Sequence, residues 1–527
     1  MRKPIRPCSC RAGLGKTRLS NRVAHTLWVL LAALLSGCSG DATSTNNPNN
    51  PPNTDRGTLI QNPPSRLVAI DAPTLTQELG STSSGQQLLD LAGAPICGVA
   101  SYYIKYWTVG AKSEAATASG ALMLPTGTDA RCTGPRPIVL YAHGTSTEKA
   151  ANIADFADSI EGSTIAAVFA AQGYIVVAPN YAGYDISSLP YHPYLNADQQ
   201  SKDMADALAA ARTALPNTIT PTITDNGQLF VTGYSEGGYA AMATVKAMTA
   251  AGQKVTASAP MSGPYALEAF GDALFLGSVD IGSTKFAPLY ITSYQEAYGN
   301  IYTKPTDIYE PQYAPNMFEL LPSTTPIATL FASGALPQTA LFSNPSPVIS
   351  GNQQLTALLA IPSNPIYALG FGAPSLFTND YRVSYATDAV ANPDGAVQTP
   401  PTVSLAASPQ NALRIALKAN DMRNGSAWAP AAPMLMCGGD QDPTVFFNLN
   451  TGTMAAYWAS VPAGLINVLD VNAPVTATGP FTSLQLAFQQ QIASILSASG
   501  EVGVAEAYHT TVLPFCSVAV RGFFDQF

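Results

Sequence analysis

The sequence predicts an α/β protein, with a mostly parallel central sheet, helices on both its faces and a large, mainly helical insertion. Three observations carry this. Apolar strand-like runs alternate with helical patterns from about residue 137 to residue 260, the rhythm of a parallel sheet covered on both sides. The run Leu229-Phe230-Val231 stops at Gly233-Tyr234-Ser235-Glu236-Gly237-Gly238, and the Ala- and Met-rich stretch Tyr239 to Ala251 follows. One serine therefore sits on a tight turn between a strand and a helix. From about residue 263 to residue 429 the alternation stops and Pro, Tyr, Phe and Leu accumulate, over a length too great for a structureless loop in a compact domain.

The elements follow in chain order. Arg2, Lys3, Arg6, Arg11, Lys16, Arg18 and Arg22 precede an apolar stretch from Thr26 to Leu35, too short for the roughly 20 residues that cross a bilayer, so residues 1–37 read as an export signal. Leu35-Ser36-Gly37-Cys38 resembles the bacterial lipobox. That resemblance implies cleavage before Cys38, a lipid on Cys38 and attachment to the bacterial envelope, with Ser39 pointing to the outer membrane; an ordinary secretory signal is the alternative. Residues 38–64 are rich in Asn, Pro, Thr and Ser and read as a flexible tether. The first part of the core spans 65–262, the insertion or cap 263–429, and the second part of the core 430–527.

Within the core, Ser101–Val109 and Ala118–Leu124 read as an antiparallel hairpin, and Pro137–Ala142 as a strand ending in His143-Gly144-Thr145. Ile153–Ala171 reads as a helix, Tyr174–Ala178 as a strand, Ala197–Ala214 as a helix and Val255–Pro260 as a strand. After the cap come a strand at Pro433–Cys437, a strand at Leu465–Asp470 and a helix at Ser483–Leu496. Tyr508-His509 reads as a loop before a last helix from about Thr511 to Phe524.

Composition narrows the function. Charged residues make up 11% of the 527-residue chain, against about 25% in an average protein. The net charge of −9 provides no basic excess for phosphates, which argues against a nucleic-acid partner. Of seven cysteines, Cys8 and Cys10 fall in the signal and Cys38 at the lipobox. The remaining Cys97, Cys132, Cys437 and Cys516 form an even set in an oxidising compartment. Three connectivities are open; Cys97–Cys132 and Cys437–Cys516 are favoured because each pair falls on segments that the fold brings together. No Cys-x2-Cys spacing suggests zinc among these four, and nothing suggests a metal, nucleotide or flavin cofactor.

The chemistry centres on Ser235. A serine hydroxyl needs an adjacent base, and the base an orienting acid. The strand–Gly-x-Ser-x-Gly–helix pattern resembles the nucleophile turn of α/β-hydrolases, where the order is serine, acid, histidine. Of four histidines, His25 is in the signal, His143 and His192 precede the serine, and His509 alone follows both the serine and a candidate acid. His509 is therefore the expected base, and His143 a loop organiser. For the acid, Asp442 in Gly439-x-x-Asp442-Pro443-x-Val445 resembles the usual acid loop more closely than Asp440, which would instead cap nearby backbone N–H groups. The backbone N–H groups of Glu236 and Thr145 are the expected oxyanion donors, with the Glu236 carboxylate solvated or paired.

His143-Gly144-Thr145, Val177-Ala178-Pro179-Asn180-Tyr181-Ala182-Gly183 with Ala209-Ala210-Ala211-Arg212, and Gly233-Tyr234-Ser235-Glu236-Gly237-Gly238 together resemble the secreted lipase group of α/β-hydrolases, fungal lipase A-type enzymes and their bacterial relatives. The resemblance covers roughly Cys97 to Phe527. It implies hydrolysis of carboxylic esters, small or lipid, beneath a helical cap. A peptidase or acyltransferase using the same three residues is the first alternative, and a non-catalytic binding lipoprotein the second.

Overall fold

The computed structural model describes residues 55–218, 223–475 and 479–527. The export signal, Cys38 and the tether up to residue 54 lie outside the described residues.

A nine-stranded sheet organises the core. Its strands are β1 (Ser65–Ile70), β2 (Gly98–Val109), β3 (Ala115–Thr126), β4 (Gly134–Ala142), β5 (Ile175–Pro179), β6 (Ile223–Tyr234) and β7 (Ala257–Met261), with β10 (Met434–Gly438) and β11 (Ile466–Asp470) after the cap. The remaining two, β8 (Phe342–Ser343) and β9 (Phe371–Gly372), make a separate short pair inside the cap. The spatial order is β1-β2-β3-β5-β4-β6-β7-β10-β11. From β5 onward every pairing is parallel; β1, β2 and β3 join antiparallel at one edge.

Alternation along each strand feeds two apolar layers. On one face Ile138, Leu140, Ile175, Val177, Leu229 and Val231 pack with α4 (Ala197–Ala214) and α5 (Glu236–Ala250), residues such as Met204, Ala207, Tyr239 and Met242. On the other, Val139, Val176 and Phe230 pack with α3 (Ile160–Val168) and the end of the C-terminal helical segment, including Ile165, Val512, Phe515 and Val520. Two shorter helices, α1 (Ala72–Gly80) and α2 (Ser83–Ala92), close the same face near β1. Among the described residues no helix is long and apolar enough to cross a membrane.

The cap lies between β7 and β10. It opens with α6 (Leu267–Phe275) and α7 (Ser283–Tyr298) and includes helices Asn379–Ala391 and Ala412–Asn420. Two buried arginines tie it together. Arg414 is paired with Asp272 of α6 and with Asp388, each at 2.8 Å, and Arg423 with Asp394 at 2.8 Å and Asp421 at 2.7 Å. Breaking such a pair on one side leaves a charge stranded in the interior, so these contacts fix the cap's internal geometry.

Four expectations need correction. The tether does not run to residue 64: Gly57 and Ile60 donate backbone N–H bonds to Trp107 and Lys105 of β2 at 2.8 Å, so this stretch covers the part of β2 that β1 leaves unpaired. The stretch from Ile153 to Ala171 is not one helix; α3 begins at Ile160, where the Ser159 hydroxyl accepts from Gly162 N–H at 3.0 Å and caps it. Among the described residues Asp440 caps no backbone N–H; its carboxylate accepts from the Asn472 side chain at 2.8 Å. Finally, Tyr508 and His509 are not in a loop. They lie inside the helical segment Thr482–Phe524, which is interrupted at Gly500 (φ 68°) and continues through Pro514. A proline inside a helix costs about 3 kcal/mol, and the burial of Val512, Phe515, Cys516, Ala519 and Val520 against the sheet outweighs it.

Candidate active site

Ser235 stands between β6 and α5 with φ 59° and ψ −120°, a backbone conformation that costs of order 1–3 kcal/mol and persists only where its surroundings impose it. Here the glycines impose it. A Cβ on Gly237 would lie 1.9 Å from the Ala142 carbonyl oxygen, so α5 can approach β4 only without a side chain at that position. The Ser235 N–H donates to the Met261 carbonyl of β7 at 3.0 Å. The serine is thus raised at the C-terminal end of the parallel strands, at the head of a helix.

His509 Nε2 is 2.8 Å from Ser235 Oγ, and His509 Nδ1 is 2.6 Å from Asp442 Oδ2. Asp442 is 4% exposed, and its other oxygen accepts from Thr444 N–H (2.9 Å) and Val445 N–H (3.1 Å). With the carboxylate oxygen opposite Nδ1, that nitrogen carries the proton, which leaves the Nε2 lone pair facing the serine. The sequence-predicted Ser235, Asp442 and His509 therefore meet in one hydrogen-bonded line, and Asp440 stands outside it.

His509 is held from three sides. The Tyr234 hydroxyl donates to the His509 carbonyl. The Asp442 loop follows β10, and the disulfide between Cys437 of β10 and Cys516 joins that strand to the helix of His509. The other disulfide links Cys97 to Cys132, away from these residues.

The turn after β4 brings the second half of the site. His143 is buried against Tyr181 (ring centroids 4.3 Å apart), and its ring nitrogens face two carbonyls, Gly144 at 2.6 Å and Asn180 at 3.2 Å. It shapes the loop and does not meet Ser235. Gly144 runs beside the nucleophile turn, close enough that a Cβ on it would be 3.6 Å from the Ser235 Cβ. The Gly144 N–H is committed to the Glu161 carboxylate (3.0 and 3.1 Å), which also accepts from the Tyr141 hydroxyl at 2.6 Å. Among the described residues nothing accepts from the Thr145 N–H or the Glu236 N–H. Both remain available to an oxyanion.

Sequence reading passed over Glu161. Burial pushes its carboxyl up, against the neighbouring His143 and its hydrogen-bond donors. The signal was present: one carboxylate heading an otherwise uncharged stretch from Ile160 to Ala171. The Glu236 carboxylate, expected to be solvated or paired, is buried and paired: Oε1 takes His192 Nε2 and Gln200 Nε2, each at 2.6 Å. His192 is thereby a structural partner of the turn, its Nδ1 facing the Ala182 carbonyl at 2.8 Å.

A pocket opens at Ser235 beneath α6 and α7. Leu267, Phe270, Leu274, Phe286, Leu417 and Val445 give it an apolar wall, and Tyr194, Asp280, Ser283 and Tyr290 add polar groups. The Tyr194 hydroxyl also lies 2.8 Å from the Thr145 hydroxyl, so the pocket wall and the turn after β4 share a contact.

The prolyl oligopeptidase family model (Peptidase_S9) matches residues 161–275, a segment containing Ser235 but neither Asp442 nor His509. The ligand-bound structure of the rice cell wall degrading esterase LipA from Xanthomonas oryzae is similar, with a TM-score of 0.65 and 25% identity over 89% of this chain and 99% of that one. Another crystal structure of the same esterase gives a TM-score of 0.64 at 25% identity, over 89% of this chain and 99% of that one. The likeness to Candida antarctica lipase A, 13% identical with a TM-score of 0.42 over 85% of this chain and 82% of that one, carries no weight. No curated protein sequence matches the chain. The chain is a hydrolase of the α/β-hydrolase fold, similar over most of its length to an esterase.

Proposed function

We propose that this protein hydrolyses carboxylic esters through a covalent acyl-enzyme on Ser235. His509 Nε2 takes the Ser235 proton as Oγ attacks the ester carbonyl, and Asp442 stabilises the imidazolium that forms. The negative oxygen of the tetrahedral intermediate is met by the N–H groups of Glu236 and Thr145. Collapse expels the alkoxide, which collects the proton from His509. Water, activated by the same imidazole, then releases the acid. No cofactor enters this scheme.

The observation that carries the reading is the continuous line Ser235–His509–Asp442, at 2.8 and 2.6 Å, at the mouth of a largely apolar pocket. The likeness to an esterase along nearly the whole chain favours esters over peptides, whereas the prolyl oligopeptidase match covers only the segment around the serine. The test is a chain-length series of p-nitrophenyl esters from acetate to palmitate, with Ser235→Ala as control. Hydrolysis that falls by about 10⁴-fold or more in the control is expected. A folded protein inactive on every ester but active on peptide anilides would transfer the reading to the peptidase. A rise in turnover above the solubility limit of a long-chain ester would make it a lipase, and a flat response an esterase.

We also propose export and lipid attachment at Cys38, from the basic, apolar and Leu-Ser-Gly-Cys succession of residues 2–38. Radiolabelled palmitate incorporated by the wild-type chain and lost in Cys38→Ala is the expected result; labelling that survives the substitution refutes it.

A further inference from the structure

Among the described residues, two polar side chains in the pocket at Ser235 have no hydrogen-bond partner from another residue. Asp280 is 6% exposed and Ser283 3% exposed, and both line the cavity. The Ser283 hydroxyl has no hydrogen-bond partner. Among the described residues, the Asp280 carboxylate accepts a hydrogen bond only from its own backbone N–H, and it forms no ion pair. Native interiors leave few polar groups in this state, because an unmet donor or acceptor loses its water without replacement. Two such groups three residues apart, on a largely apolar wall, form a built feature.

Their position is fixed. Asp280 and Ser283 occupy the junction between α6 and α7, and the intervening Ile281 N–H donates to the Pro443 carbonyl at 3.0 Å. That bond fastens the junction to the residue after Asp442, so the unmet groups stand in the pocket close to the acid of the site.

We propose that Asp280 and Ser283 form a subsite for a hydroxyl group carried on the substrate chain that enters this pocket. The inference rests on the ester-hydrolase reading. A hydroxyl brings one donor and two acceptor positions, which suits a carboxyl and a serine hydroxyl side by side. An ammonium fits less well. Lys285, two residues beyond Ser283, already acts electrostatically on Asp280, and burial holds the Asp280 carboxyl well above the usual carboxylate range, towards its neutral form. A substrate carboxylate would face Asp280 directly. A site built to hydrogen-bond a hydroxyl also rejects the chain that lacks one, because its own groups are then left unpaired.

The hydroxyl could sit on either side of the ester bond, and matched pairs separate the two. Methyl ω-hydroxyalkanoates are compared with methyl alkanoates, and ω-hydroxyalkyl acetates with alkyl acetates, over several chain lengths, with methyl ω-aminoalkanoates as a third arm. Each is measured as kcat/KM on the full protein and as binding to Ser235→Ala by calorimetry. The hydroxylated member of one series is expected to lead by about tenfold or more at its best length. That lead, read as the ratio within each matched pair, should shrink towards one in Asp280→Leu and in Ser283→Ala. Asp280→Asn, which preserves shape, serves if the leucine variant does not fold.

Equal binding of the paired esters at every length overturns the proposal, as does a preference that survives both substitutions or a better fit of the amino series. Preferential binding of the hydroxylated ester to Ser235→Ala without any turnover by the wild-type protein would sink the ester-hydrolase reading and leave the subsite standing. Turnover of plain esters with equal binding of the pairs would do the reverse.

Discussion

Ser235 and His509 are held in place by different physics. Ser235 is held by backbone: glycines at 233, 237 and 238 let β4, β6, β7 and α5 close to distances that no side chain would fit, and the serine takes a strained φ of 59° because nothing else is open to it. His509 sits in ordinary helix and is held through side chains, by Asp442, by the Tyr234 hydroxyl and by a covalent link from its helix to β10. The first arrangement is all-or-none, since altering it means altering the sheet. The second is graded, and each tie can be cut without unfolding the rest.

The largest expected effect lies on the graded side. Asp442→Asn should lower kcat by about 10⁴-fold with the fold intact, because an amide favours the wrong imidazole tautomer, while Asp440→Asn should stay within a few-fold. Comparable losses in both variants would dissolve the distinction between the two carboxylates. Next is Gly237→Ala on the all-or-none side. With a methyl placed 1.9 Å from a carbonyl oxygen, a loss of about 4 kcal/mol or more in denaturant unfolding is expected, and with it any soluble, active protein.

The two disulfides sharpen the comparison further. They span 79 and 35 residues, and loop entropy assigns each about 4 to 5 kcal/mol. Replacing Cys437 and Cys516 by serine should lower both stability and kcat, whereas the same change at Cys97 and Cys132 should lower stability alone. Equal kcat losses would mean that the first link does not position the base. The smallest effect is Tyr234→Phe, which removes one hydrogen bond to the His509 carbonyl. About 1 kcal/mol of stability and a modest fall in kcat are expected, with KM unchanged.

Much of the core was legible because its signals are local. Ala197–Ala214 has the predicted limits, and the strand–turn–helix around Ser235 is encoded within about twenty consecutive residues. The setting of His509 was misread for the opposite reason. Two β-branched threonines and Pro514 argue locally against helix, and burial against a distant sheet decides otherwise. Glu161 was missed because its meaning depends on Gly144 and Tyr141, which become its neighbours only when β4 and α3 pack. In the cap, composition announced short helices. The pairing of Arg414 with Asp272, 142 residues earlier, has no periodic signature at all.

The first described residues have a mechanical consequence. Arg56 grips Asp206 of α4 through two bonds, at 2.9 and 3.1 Å, and Gly57 and Ile60 are stitched to β2. Tension applied to the chain from its N-terminal side is therefore received by α4 and the antiparallel margin of the sheet. The C-terminal helix, which holds His509, and the loop after β10, which holds Asp442, lie outside that load path. A molecule tugged from its leading end can yield there first while Ser235, His509 and Asp442 stay in register.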